Sequence, residues 1–306
     1  MKNTTSIYNK VLAIIGDENR VKKDEPLKAH TTFKVGGPAD LMVMPSSKEE
    51  IIKLLDLFKE EDTKYLILGN GSNVLASDAG YRGAVLKIGN DMSYVSVSEG
   101  HITAGAGTIL SAVSSEAAKA SLTGMEFASG IPGSIGGAVF MNAGAYGGEM
   151  SQTVSAVTAV LPDGSVKRFT KEDGFDFGYR HSIFCDNGAV IVEVELDLET
   201  GVQEEIYSYM KELTKKRVEK QPLSFPSAGS TFKRPEGYFA GKLIQDSGCK
   251  GLSVGGALVS PKHAGFIVNN GDATARDILD LIKLVQMRVK DEFEVDLETE
   301  VRIIGE

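Results

Sequence analysis

The chain has 306 residues, 42% hydrophobic and 25% charged, the balance of a soluble globular protein long enough for two or three domains. Lys and Arg total 33 against 42 Asp and Glu, a formal charge of −9 that disfavours a general nucleic-acid surface but leaves room for a local phosphate patch. No apolar run reaches the roughly 18 residues of a membrane span, and the N-terminus lacks an apolar core followed by a small-residue cleavage site. A cytoplasmic protein is expected.

In chain order, Ile7, Val11, Leu12, Ile14 and Ile15 predict an amphipathic helix over 6–15. Val35-Gly36-Gly37-Pro38 turns into a strand at 41–44. Ser47 with Glu50 reads as a capping box opening a helix whose apolar face is Ile51, Ile52, Leu54, Leu55 and Phe58. A short buried strand at 65–68 runs into a glycine turn at 69–73. Strands follow at 84–88 and 94–104, then a helix over 110–121 capped by Thr108. Residues 154–161 and 165–169 form a hairpin around Pro162-Asp163-Gly164, and 189–198 alternates as a strand. A helix over 203–220 stops at Pro222, and a domain boundary is placed near its start. Beyond it the pattern predicts a helix at 239–246, strands at 255–259 and 265–268, a helix at 275–293 and a last strand at 300–304. The class is α+β.

Glycine is the informative excess, 34 residues or about 11% against a usual value near 7%. At 69–73 closely spaced backbone N–H groups could hold phosphate, because a missing Cβ lets the backbone approach an anion. A tight turn alone accounts for the same residues. It is no dinucleotide fingerprint, since Val74 stands where G-x-G-x-x-G needs glycine, and no Walker A loop exists. The second loop, 124–148, holds eight glycines in 25 residues. Fixing that many glycines is entropically wasteful in a mere connector, and Ile131, Ile135, Val139 and Phe140 argue against disorder. A buried loop wrapping an extended phosphate-bearing ligand is the favoured reading. Gly133 and Gly136 are then expected to reject side chains, through ligand space or a positive φ.

Tyr179-Arg180-His181-Ser182 and 227–233 read as two polar surface turns, and 298–302 as the solvated edge of a last strand. Neither Ser134 nor Ser230 sits in G-x-S-x-G. Cys185 and Cys249 form no CxxC and are expected to be reduced. The four histidines are scattered without HExxH, so no metal site is expected.

Taken together, these pieces resemble one family, UDP-N-acetylenolpyruvoylglucosamine reductase, the MurB flavoenzymes of bacterial cell-wall synthesis. The resemblance is carried by Thr32-Phe33-Lys34-Val35-Gly36-Gly37-Pro38-Ala39-Asp40, by 68–75, 130–146, Tyr179-Arg180-His181-Ser182-Ile183-Phe184, Ala228-Gly229-Ser230-Thr231-Phe232-Lys233 and Glu300-Val301-Arg302. They occur in the family's order along nearly the whole chain. Only about ten residues separate Arg180 from the next strand, so the chain resembles the second subtype, which lacks an inserted tyrosine loop.

The resemblance implies a two-part FAD-binding fold of the vanillyl-alcohol-oxidase (PCMH) type, subdomains 1–90 and 91–202, followed by a C-terminal α+β substrate-binding domain, 203–306. It implies that Gly69, Asn70, Gly71, Ser72, Asn73 and Val74 cradle the diphosphate of FAD. Gly130, Ile131, Pro132, Gly133, Ser134, Gly136, Gly137, Asn142 and Gly144 would line the flavin. The implied reaction reduces UDP-N-acetylglucosamine enolpyruvate to UDP-N-acetylmuramate with NADPH as co-substrate. The resemblance makes Arg180, Ser230 and Glu300 catalytic: a cation for the substrate carboxylate, a proton donor, and a polarising partner. Tyr146, Tyr179, Lys220, Lys233, His263 and Arg302 would contact substrate. Arg234 and His263 stand where some members carry asparagine and glutamine. FAD is expected to be non-covalent, because no histidine lies inside either glycine segment. Neither nucleic acid, membrane insertion nor an obligate protein partner is expected. The alternatives are an FAD-dependent oxidase on the same scaffold and a non-catalytic nucleotide-sugar-binding module.

Overall fold

The structure, a computed structural model, describes residues 4–305. Among these, seven α-helices form: α1 Thr4–Ile15, α2 Lys48–Glu60, α3 Leu110–Lys119, α4 Ile135–Phe140, α5 Gln203–Lys220, α6 Ala240–Asp246 and α7 Ala275–Phe293. The expected helices at 203–220 and 275–293 are found end for end. α7 starts with a reciprocal capping box, Asp277 N donating to Thr274 Oγ1 at 3.1 Å and Thr274 N to the Asp277 carboxylate at 3.0 Å. It buries one stripe, Ile278, Leu281, Ile282, Val285 and Val289, at the three-and-four spacing of a helix that covers a core.

The α2 cap is half of what the sequence suggests. Ser47 Oγ accepts from Glu50 N at 3.2 Å, but the Glu50 carboxylate accepts from Ser46 N and pairs with both Arg20 nitrogens at 2.8 and 3.0 Å. A two-pronged guanidinium contact outcompetes a local N–H for the same oxygens. Thr108 does not cap α3 either. Its hydroxyl accepts from Tyr94 N and donates to Tyr94 O, and Ile109 holds the cap position without a side-chain bond. The expected strand at 94–104 is two strands, Val95–Ser98 and His101–Gly105, folded back at Glu99-Gly100. Both turn residues have positive φ, 45° and 88°, the conformation that matches the twist of a two-residue hairpin.

The chain forms two compact units of interleaved segments. The first holds residues up to Lys23, Asp40–Asn70 and Gly83–Lys216. Its five-stranded antiparallel sheet runs Val166–Thr170, Val154–Val160, Val190–Asp197, His101–Gly105, Val95–Ser98, so the predicted alternating strand is central and the predicted hairpin reaches one edge. One face is packed by Leu110, Val113, Ile135 and Val139 from α3 and α4. Tyr65–Leu68 pairs in parallel with 84–87 at the edge of a second sheet, four-stranded, and ends at Leu68 opposite Lys87.

The second unit holds Asp24–Ala39, Gly71–Arg82 and Arg217–Glu306, described to residue 305. Its core combines Phe33, Val35 and Leu75 with Phe232, Ile244, Val259, Ile267 and the buried stripe of α7. The last strand is Arg302–Ile304, and it pairs in parallel with Val74–Ala76, a strand too short to show a period in the sequence. Asn269 Nδ2 donates to Phe33 O at 3.1 Å, tying early and late segments together in the interior.

The glycine-rich stretch 124–148 is largely structured: a 3-10 turn Glu126–Gly130, then α4 capped by Ser134, then a short hairpin of Gly144–Ala145 with Gly148–Glu149. Gly136 has no positive φ, and no ligand space lies above it. A Cβ there would lie 2.8 Å from Ala106 Cβ and 3.0 Å from Ala106 O, and Gly136 N donates to that same carbonyl. The glycine lets α4 lie on the backbone of Ala106. Gly136→Val is therefore expected to cost about 1–3 kcal/mol of stability by overpacking. Chemical denaturation should register this, with any flavin loss following as a secondary effect; an unchanged midpoint would remove the packing role.

Candidate functional site

In the first unit the two glycine segments adjoin. A Cβ on Gly69 would lie 2.7 Å from Ser134 Oγ, and Asn70 Nδ2 donates to Pro132 O. The carbonyls here are engaged with the chain: Gly69 O accepts from Lys87 Nζ and Gly133 O from Leu110 N. Among the described residues no acceptor within the chain takes the N–H groups of Gly133 or Ser134. Carbonyls turned inward with N–H groups left over is the arrangement of an anion-binding nest. Gly130 and Gly137 are half-buried on either side, and Ile131 and Pro132 complete the rim.

The polar turn at 179–182 is fastened at its base to the glycine stretch and is not a simple surface turn. Gly178 and His181 bridge through reciprocal backbone bonds of 3.1 and 3.3 Å, leaving Tyr179 and Arg180 as the two tip residues. Arg180 has φ +58°. The base of the turn is fastened to the glycine stretch: Asn142 Nδ2 donates to Gly178 O at 3.1 Å, and Ser182 Oγ donates to Phe140 O at 2.7 Å. Cys185 Sγ reaches the same Phe140 carbonyl at 3.0 Å. Ser182 is fully buried, a position for a hydroxyl only because the bond is made. His181 Nε2 faces the carboxylates of Asp176 and Asp186 at 3.2 and 3.4 Å, so the turn is clasped from its far side. Tyr179 and Tyr146 are exposed, and the Arg180 guanidinium lies 5.0 Å from the Tyr179 ring centre.

In the second unit, Gly71 has φ +61°, and a Cβ there would lie 2.1 Å from His30 O, so no other residue fits. Gly71 O accepts from Thr32 N, and the N–H groups of Gly71 and Ser72 have no acceptor within the chain among the described residues. Asn73 is tied to the last strand by Nδ2 to Glu300 O at 3.1 Å and Arg302 N to Asn73 O at 3.0 Å. The segment 228–233 is another correction to the surface-turn reading: Thr231 and Phe232 are buried. Glu300 N donates to Thr231 O at 2.8 Å, and Phe232 bridges Thr299, so Ser230 and Glu300 stand on neighbouring segments.

Of the expected substrate contacts, Lys233 pairs with Glu298 at 2.9 Å, while Lys220 and Arg302 are exposed. Burial pushes the His263 imidazole down from its ordinary value, and the charges of Lys250 and Lys220 add to this. Its Nδ1 accepts from Gly265 N at 3.1 Å, and the ring meets Phe266 edge-on. A lowered value means that the folded chain binds fewer protons than the unfolded one as pH drops below about 6.5, so stability declines there. His263→Gln is expected to flatten the fall in thermal midpoint between pH 6.5 and 5; an unchanged slope would sink that assignment.

The relatives extend over the whole chain. A UDP-N-acetylenolpyruvoylglucosamine reductase from Alkaliphilus oremlandii (strain OhILAs) is 52% identical over 297 residues, 97% of each chain, and that of Clostridioides difficile (strain 630) is 48% identical over 304, 99% of each. The chain belongs to the UDP-N-acetylenolpyruvoylglucosamine reductase family.

The model of that family's C-terminal domain matches residues 221–304, and an FAD binding domain matches 39–170. The crystal structure of the Thermus caldophilus reductase is similar at TM-score 0.80 and 38% identity, covering 93% of this chain and 98% of that one. p-Cresol methylhydroxylase, 13% identical, shares the fold at TM-score 0.50 over 66% of this chain and 44% of its own. The reductase family's fold is thus the PCMH type with an added α+β domain, and FAD is its cofactor. Both nests suit a diphosphate, with spare N–H groups, no carboxylate within 69–73 or 130–144, and a Cβ excluded at Gly71.

The histidine nearest these loops by its backbone is His30, and its Nε2 is 2.8 Å from Glu25 Oε1. Acid precipitation is therefore expected to leave a colourless pellet and a yellow supernatant, and a yellow pellet would overturn non-covalent attachment. One residue that the sequence reading passes over also reaches the site. Lys87 closes an apolar strand, Ala84-Val85-Leu86, and that abrupt change from apolar to cationic at a strand end is its only signal.

Proposed function

We propose that this chain carries out the NADPH-dependent reduction of UDP-N-acetylglucosamine enolpyruvate to UDP-N-acetylmuramate in the cytoplasm, for peptidoglycan precursor synthesis, without an obligate protein partner. FAD, when bound, supplies the hydride chemistry, taking hydride from NADPH and delivering it to the vinyl carbon of the enolpyruvyl ether. The observation that carries the reading is the fastening of the Arg180 turn to the glycine stretch through Asn142, Ser182 and Cys185. A permanent, planar cation is thereby held on the same scaffold as the cofactor loop.

Hydride addition leaves negative charge conjugated to the substrate carboxylate. Arg180 opposes that charge, and fixed groups aimed at developing charge commonly contribute more to catalysis than any other single effect. Glu300 polarises the same carboxylate. Ser230 Oγ gives its proton to the carbon, completing the saturated lactyl ether. Gly69 to Val74 and 130–144 hold FAD through backbone N–H groups. Tyr146, Tyr179, Lys220, Lys233, His263 and Arg302 bind the nucleotide sugar. Subdomains 1–90 and 91–202 carry FAD and 203–306 the substrate, with Asp24–Ala39 and Gly71–Arg82 lent to the C-terminal unit's core. Under anaerobic conditions NADPH should bleach the yellow protein and the enolpyruvyl substrate should restore the colour, with UDP-N-acetylmuramate formed. Bleaching without product would overturn the assignment.

A further inference from the structure

We propose that Lys87 is a cofactor-binding residue, the cation that meets the FAD diphosphate where the two glycine loops of the first unit adjoin. The proposal rests on assigning residues 69–73 and 130–144 to the cofactor.

Lys87 is the last residue of its strand and pairs in parallel register with Leu68, the residue before the Gly69 turn. Its side chain is mostly covered, and Nζ donates to Gly69 O. An ammonium has three donors and no acceptor, so one peptide carbonyl leaves two donors unused. Among the described residues no carboxylate lies within hydrogen-bond or ion-pair reach of Nζ. The ionisable groups of the flanking strands are elsewhere: Tyr65 is paired beside Ala84, and Asp40 accepts from Gly83 N at the far end of the sheet. Asp91, on the 3-10 turn that follows, acts on Arg20. The loops at 69–73 and 130–144 contain no ionisable side chain.

Gly69, whose carbonyl the ammonium holds, sits against Ser134 of the second loop. A covered cation without a counter-charge is costly, and it is placed beside N–H groups that also lack acceptors. A diphosphate satisfies both at once. Burial alone pushes the Lys87 ammonium down, to about 8. An anion against it favours the charged form, so cofactor binding above pH 8 should draw a proton from solvent.

The full-length chain, stripped of flavin, is titrated with FAD by fluorescence, and its proton uptake is measured by calorimetry at pH 9 in buffers of different ionisation enthalpy. Lys87→Met is expected to raise Kd roughly 10–100-fold, the range of a charge-assisted hydrogen bond, and to abolish proton uptake. Its apoprotein should melt no lower than wild type, because an unpaired ammonium has been removed. Lys87→Arg should recover part of the affinity without recovering proton uptake, since arginine stays charged. The wild-type Kd should rise about tenfold per pH unit above 8, and that of Lys87→Met should not. Wild-type affinity and wild-type proton uptake in Lys87→Met, or wild-type uptake in Lys87→Arg, would overturn the role of Lys87. Gly69→Val separates the two readings: loss of FAD there alone keeps the loop and discards the lysine. Normal FAD binding in Gly69→Val would discard the loop assignment and the proposal with it.

Discussion

Replacing Ser230 by alanine is expected to leave anaerobic bleaching by NADPH nearly intact, while the return of colour with enolpyruvyl substrate slows by about 10²–10⁴-fold, the range of general acid catalysis. The structure makes this a clean test. Ser230 is exposed, and its backbone is fixed by its neighbour: Thr231 N donates to Gly265 O at 2.9 Å, Thr231 Oγ1 accepts from Ile267 N at 3.1 Å, and Thr231 O accepts from Glu300 N at 2.8 Å. None of these bonds uses the Ser230 hydroxyl, so its loss should not move the segment or lower stability. Ser230→Cys should regain part of the rate, because a thiol also donates a proton. Equal slowing of both half-reactions would point to a displaced cofactor. An unslowed second half-reaction would transfer the donor role, to Glu300 first.

The second large effect is expected at Arg180. Arg180→Ala should lower kcat by about 10²–10³-fold, as removing one fixed donor from developing charge does elsewhere, with flavin content and the KM for NADPH unchanged. The turn has a backbone closure and anchors of its own besides the guanidinium. Its closure is the Gly178–His181 backbone pair, and its anchors are Asn142, Ser182 and Cys185. Arg180→Lys keeps a charge but not the planar fork, so it should recover only a minor part of the rate. A kcat within a few-fold of wild type in the alanine variant would remove Arg180 from the chemistry.

Strong periodicity makes some of the fold readable. α7 extends over 19 residues, long enough for a three-and-four pattern to accumulate, α5 is marked by its stop before Pro222, and the Pro162-Asp163-Gly164 hairpin has its turn written in it. Short elements are hidden for the opposite reason. Val74–Ala76 has three residues and its partner is Arg302–Ile304, so its pairing is entirely non-local. At 94–104 the apolar alternation changes phase, from Val95 and Val97 to Ile102 and Ala104, and the positive-φ turn at Glu99-Gly100 lies at that break, which a reading as one strand overlooks. Glu50 misleads because Arg20, thirty residues earlier, competes for its oxygens. At the site, glycine density marks the loops, whereas Ser230 and Glu300 carry no local signal and come from the family resemblance. Gly136 is singled out by sequence for the wrong reason, being required by Ala106 and not by a ligand.

The interleaving of the two units bears on how the chain is made. Phe33, Val35 and Leu75 belong to a core whose other members lie from Ala228 onward. During synthesis these side chains emerge early and have nothing to bury them until most of the chain has been translated. The bond from Asn73 to Glu300 closes a span of 227 residues. Such long-range closure is slow, and apolar surface exposed meanwhile invites aggregation. A gene fragment beginning at the start of α5 would encode a unit missing three of its core residues and the partner of its last strand. The C-terminal third is thus expected to resist expression by itself, and to need chaperone protection in the cell until its early segments find it.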